Sequence, residues 1–237
     1  MNHRIGVIAV MLCASLLLAL PVAAHADEGS ATNRPWSGWW WPKGGAGPHL
    51  YDSNGPLSKY DQYVQRRYGY NPGTAAAEYR TSFQDGAPAD WAGHCHAWSA
   101  ASVRTPSEPA GGFYRSGIWF SRDDTKALVT KLWDSPTVGN FWWGNRYGFD
   151  AATTTTAAYN DITPAWFDFL IRYYIGYNTY PLIMDIEPGT QVWNFPAFAY
   201  RRTTTPIAGG VAVRTIVWFS RPVQGVHGNA DYFTREY

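Results

Sequence analysis

The chain has 237 residues, with 19 basic against 18 acidic side chains and a net charge of +1. A balance that close, with no run of like charge, excludes the basic field that nucleic acid or an anionic membrane surface would require. Aromatic residues make up 17% of the chain and 13 of them are tryptophan, an excess that points to a core built on large rings and to rings left over for stacking on a peptide or a sugar.

The N-terminus reads as a secretory signal, with Arg4, an apolar stretch from Ile5 to Ala23 and the small-residue pattern Ala24-His25-Ala26. Residues 1–26 are therefore expected to be cleaved, taking Cys13 with them, and the protein to be secreted with no stable membrane insertion afterwards. The remainder, about 210 residues, suits one domain over 36–237 and a monomer. Residues 27–35 are polar and are expected to be disordered.

Pro35-Trp-Ser-Gly-Trp-Trp-Trp-Pro42 is too dense in Pro and Gly for a helix and reads as a loop facing a ligand or anchoring the core. Apolar spacing predicts helices over Leu57–Val64 and Ala75–Arg80. Gly93–Val103 predicts a further helix, small residues following Cys95 so that the cysteine falls in its first turn. Over 121–133, Ser121 caps, Asp123 and Asp124 suit the N-terminal dipole, and Leu128, Leu132 and Trp133 supply an apolar face. Thr153–Thr156 reads as loop, and 163–176 as a helix with Thr163 as cap, Pro164 at its first position and Gly176 at its end. Tyr180–Ile186, Gln191–Tyr200 and Gly210–Ser220 are rich in β-branched and aromatic residues and follow one another past the turn Glu187-Pro-Gly189 as antiparallel strands. Helices first and strands later predict an α+β domain, its helical N-terminal part, with the Cys95 helix, packed on a C-terminal antiparallel sheet.

With the signal removed, Cys95 has no cysteine left to pair with, so it either packs, the commoner fate of a free cysteine, or reacts. At a helix N-terminus the backbone dipole favours the thiolate, the nucleophilic form. Acyl transfer on a thiolate also needs an imidazole and a group that orients it. His94 and His96 flank Cys95, but neighbours on a helix project in different directions, so both are expected to cap or to contact substrate. His49 and His227 lie in loops from which spacing assigns neither. Trp40, Trp98 and Trp193 are the ring candidates for substrate contact. Cys-x-His without a second, separated ligand pair does not read as zinc, and no metal or cofactor is expected.

These residues resemble the secreted transglutaminase elicitor family, the oomycete-type transglutaminases and their bacterial relatives. The likeness rests on Pro35-Trp-x-Gly-x-Trp-Trp-Pro42, Pro56-Leu-Ser-Lys-Tyr-Asp61, Trp91-x-Gly-His-Cys-His-x-Trp98, Asp124-x-Lys-Ala-Leu128 and Val192-Trp-Asn-x-Pro196. The last is similar to the element that plant hosts detect. The resemblance implies a papain-like active-site arrangement and protein-glutamine γ-glutamyltransferase activity. A cysteine takes the acyl group of a glutamine carboxamide, releases ammonia and passes the group to a lysine amine. It implies Cys95 as nucleophile, glutamine- and lysine-bearing proteins or peptides as partners, and Asp185 of Met184-Asp-Ile-Glu-Pro-Gly189 as orienting carboxylate, with Glu187 as the fallback. One position departs: in Phe167-Asp-Phe-Leu170, Asp168 stands where the resemblance expects a histidine. A carboxylate there accepts a proton but gives the thiolate no cationic partner. Three readings follow: an enzyme recruiting His49 or His227, an altered acyltransferase (or a related peptidase or amidase) using Asp168, and a silent homologue that binds peptides or cell-wall glycans.

Overall fold

Helix α1 (Pro56–Tyr68) starts on a proline, whose missing N–H is tolerated at a first position, and stops at Gly69, which takes the left-handed conformation (φ 85°) that a side chain would resist. The structure, a computed structural model, describes residues 25–105, 107–134, 143–144, 162–187, 191–225 and 231–237. The expected signal as far as Ala24, the loop Thr153–Thr156, the turn residues Pro188 and Gly189, and His227 lie outside the described residues.

Helix α2 (Thr74–Glu78) widens into a π-helical stretch over Tyr79–Gln84. Gly73 before it has no side chain to cap with, and Asp61 of α1 supplies the acceptor instead, bonding the backbone N–H of Thr74 and Ala75 at 2.9 and 3.0 Å. Helix α3 (Cys95–Arg104) follows, then a short hairpin, β2 (Phe113–Arg115) and β3 (Ile118–Phe120). Helix α4 (Arg122–Trp133) opens on a full capping box, with Ser121 accepting from the Asp124 N–H and Asp124 accepting in return from the Ser121 N–H. Helix α5 (Pro164–Leu170) is capped by Thr163 and continues as a π-helical stretch over Ile171–Tyr177.

The sheet is antiparallel and centred on β5 (Asn194–Ile207). One edge of β5 pairs with β6 (Gly210–Ser220), which in turn pairs with β7 (Tyr232–Glu236). The other edge is shared end to end by β4 (Leu182–Asp185), against Asn194–Ala197, and by β1 (His25–Ser30), against Ala199–Thr204. Strand β1 corrects the sequence expectation. Residues 27–30 are ordered because an unpaired length of β5 offers them a ladder, which their own polar composition does not reveal.

Trp98 and Ala101 of α3 meet Ile171 and Ile175 on one side and Phe195 and Phe219 of the sheet on the other. That packing is the expected α+β architecture. Trp36 joins the same core, and the buried Lys126 of α4 donates to the Ser37 carbonyl (2.6 Å) while pairing with Glu108. Through these contacts the loop 35–42 becomes a fixed wall beside the start of α3. Among the described residues no helix is long and apolar enough to cross a membrane.

Candidate active site

Gly93 forms an antiparallel bridge with Pro42, and a side chain at Gly93 would run into the ring and carbonyl of Trp40. The His94 N–H donates to that Trp40 carbonyl at 2.6 Å. Close approach at Gly93 therefore sets where α3 begins: at Cys95, two residues after the expected Gly93, with the cysteine in the first turn as expected. The thiol is buried, donates to the Val192 carbonyl at 3.6 Å, and has Asn194 Nδ2 4.0 Å from its sulfur. Ser99, one turn along α3, donates to the Asn194 carbonyl (2.8 Å) and ties this end of β5 to the helix.

His96 Nε2 donates to Asp134, the residue closing α4, at 3.0 Å. That bond, and after it the Cys95 sulfur, raise the imidazole to about 9 against the opposing effect of burial, so it is cationic at neutral pH. Behind it lies a chain of charges. Asp134 also faces His94 Nδ1 at 3.2 Å and the Lys131 ammonium at 2.6 Å. His94 Nε2 donates to Glu78 at 3.0 Å, and Glu78 receives Lys131 at 2.6 Å and Ser82 at 2.5 Å as well. Burial alone would push both carboxyls up, but the bonds from His94 and Lys131, with His96 adding to Asp134, outweigh it. Glu78 is held at about 2 and Asp134 well below the ordinary carboxylate range. Burial would likewise lower Lys131, yet its two carboxylates raise it.

Donor atoms of Glu78, His94 and Asp134 lie within 4.8 Å of one another, the spacing of a metal-binding group. Lys131 bonds to both carboxylates and already brings a positive charge to that point.

Of the residues expected at the site, Trp40 and Trp193 come together beside Cys95 as an edge-to-face pair, 5.2 Å between centroids, with Trp39 against Trp40. His96 is half-exposed, and the Cys95 sulfur helps to raise its imidazole, although its neighbouring helix position argued against a part for it. His94 and Trp98 do not face substrate: His94 is 1% exposed between two carboxylates, and Trp98 is fully buried with its ring edge-to-face on Phe195. Asp185 pairs in register with Asn194, and its carboxylate accepts the backbone N–H of Glu187 and Trp193. It thereby ties Trp193, the neighbour of Val192, to the end of β4. Glu187 pairs with Arg235 at 3.4 Å. His49 bonds Asp52 at 3.2 Å and stacks on Tyr51.

Asp168 is not brought to Cys95. It pairs with Arg202 through both carboxylate oxygens and with Arg172 at 3.9 Å. Arg202 stands eight residues along β5 from Asn194, about 26 Å at the rise of a strand. The residues that sequence reasoning did not reach are Asp134, Glu78, Lys131 and Asn194. Asp134 and Lys131 close a helix, and Glu78 ends one, positions at which a charged residue is ordinarily a solvated one.

A model of the transglutaminase elicitor family matches residues 70–212, more than half of the chain, and the chain belongs to that family. The crystal structure of the GP42 transglutaminase from Phytophthora sojae superposes with a TM-score of 0.67 at 18% identity, covering 89% of this chain and 74% of that one. The two share a fold. No curated protein matches the chain.

Proposed function

We propose that this is a secreted transglutaminase-like acyltransferase whose nucleophile is Cys95 and whose proton carrier is His96, oriented by Asp134. The observation that carries the reading is the cationic imidazole next to Cys95, bonded through Nε2 to the Asp134 carboxylate: a thiol, an imidazole and a carboxylate in sequence. It replaces the histidine whose place Asp168 takes.

The thiolate attacks the carboxamide carbon of a glutamine side chain. The C–N bond then breaks, His96 gives its proton to the departing nitrogen, ammonia leaves, and a thioester remains on Cys95. Neutral His96 takes a proton from an incoming primary amine as the amine attacks, the C–S bond breaks, and the thiolate returns. Asp134 keeps the ring in one orientation through both halves, and Trp40 with Trp193 offers the apolar wall against which a peptide lies. Asp185 serves by tying Trp193, the neighbour of Val192, to the end of β4.

Incubating the protein with a glutamine-bearing donor protein and a fluorescent primary amine is expected to label the donor, and Cys95→Ala to abolish the labelling. Equal labelling by the two, or none by either with or without calcium, overturns the proposal in favour of a silent homologue. Release of ammonia without labelling would instead make it an amidase, with water as acceptor.

A further inference from the structure

Attack on a carboxamide turns a carbonyl oxygen into an oxyanion, and an acyl-transfer site needs donors placed for that oxygen rather than for the resting substrate. We propose that Asn194 is a catalytic residue of this site, its side-chain amide donating to the oxyanion formed on Cys95. The proposal rests on the acyl-transfer reading above.

Asn194 is 4% exposed, and a buried amide is kept where it has a partner. Its side-chain nitrogen faces the Cys95 sulfur, 4.0 Å from Nδ2, the outer limit of an N–H···S contact. A contact that long does little for the resting thiol. A donor must stand ~2.7–3.1 Å from the oxygen of the tetrahedral intermediate, an atom two bonds from the sulfur and to one side of it, so an amide at this distance from the sulfur is within reach of that oxygen.

Asn194 is held on two sides, by Ser99 on its carbonyl and by its register pairing with Asp185, so the backbone that carries its amide is fixed before substrate arrives. The Val192 carbonyl takes another side of the sulfur, at 3.6 Å, which leaves the Asn194 side for the acyl group. Cys95 is the first residue of a ten-residue helix, so its own N–H has no acceptor within α3 and is the second donor. As the S–C bond forms, the carbonyl π pair moves onto oxygen under these two N–H groups. The pair returns as the C–N bond breaks and ammonia leaves with the His96 proton.

Two small reagents separate this role from any other. p-Nitrophenyl acetate acylates a thiolate through an oxyanion, whereas iodoacetamide alkylates it by displacement with none. In Asn194→Ala, acylation is expected to fall ~10²–10³-fold, while alkylation of Cys95 stays within about threefold because the thiolate is untouched. Asn194→Ser, which keeps a hydroxyl too short to reach the oxygen, is expected to behave alike and carries the test if the alanine variant does not fold. Parallel loss of both reactions, loss of neither, or a parent protein that is alkylated but not acylated would overturn the assignment. Neither reagent contains glutamine or amine, so an absence of amine incorporation, which removes the transferase reading, leaves this result readable.

Discussion

His96 follows Cys95 directly in the chain, and what makes it useful to the thiol is Asp134, which arrives from another helix and takes Nε2. A histidine raised to about 9 favours its charged form when folded. Its contribution to stability is therefore complete below the ordinary value of ~6.5 and is lost as the pH rises through about 9. The acylation half of the reaction needs that proton for ammonia, so its rate is expected to decline over the same window. Asp134→Asn keeps the shape and removes the charge. Amine incorporation is expected to fall ~10²–10⁴-fold, and the descending limb of the pH profile to move toward neutrality. A profile unmoved by Asp134→Asn would show that the carboxylate does not control the ring.

The helices α2, α3 and α4 meet where Glu78, His94 and Lys131 join. Removing one partner of such a buried set leaves the others charged without compensation, so Glu78→Ala is expected to cost ~3–5 kcal/mol in urea unfolding. Because Glu78 is held at about 2, its contribution is fully present above its ordinary value and is lost as the pH falls through about 2. The parent should thus resist acid to a lower pH than Glu78→Gln does, as read by far-UV circular dichroism. The start of α4 offers a control. Ser121→Ala removes one capping acceptor and is expected to cost ~1 kcal/mol, with amine incorporation per folded molecule unchanged.

Across the whole molecule, the sheet separates two clusters. Cys95 and its partners gather at the Asn194 end of β5, and Asp168, Arg202, Arg172 and Asp27 gather toward the other end. The second cluster fastens β1 and α5 to β5. Asp168→Ala is expected to lower stability by ~1–3 kcal/mol, between an exposed and a buried pair, and to leave amine incorporation within about twofold, since no part of the cluster touches the thiol. Asp168→His is expected to bring no gain, and a gain in incorporation would return position 168 to the site.

Helix starts and strand composition were legible in the chain because their causes are local: the Ser121 and Thr163 caps, Pro164, and the β-branched and aromatic residues of β5 and β6. The same holds for Cys95 at a helix N-terminus, with Gly93 admitting the close approach that starts it there. Strand β1 was not legible, because its only reason to be a strand is the free edge of another strand 170 residues away in sequence. The partners of Cys95 were not legible either. Asp134 is 38 residues from His96, Asn194 is 99 from Cys95, and no spacing along a chain marks a contact that only packing makes. By itself the sequence determined a family, a fold class and the place of Cys95 at a helix N-terminus, which depend on short-range pattern. The tertiary structure decided the His96–Asp134 bond beside Cys95 and the far place of Asp168, which depend on charges brought together or kept apart by the packing of α3, α4 and the sheet.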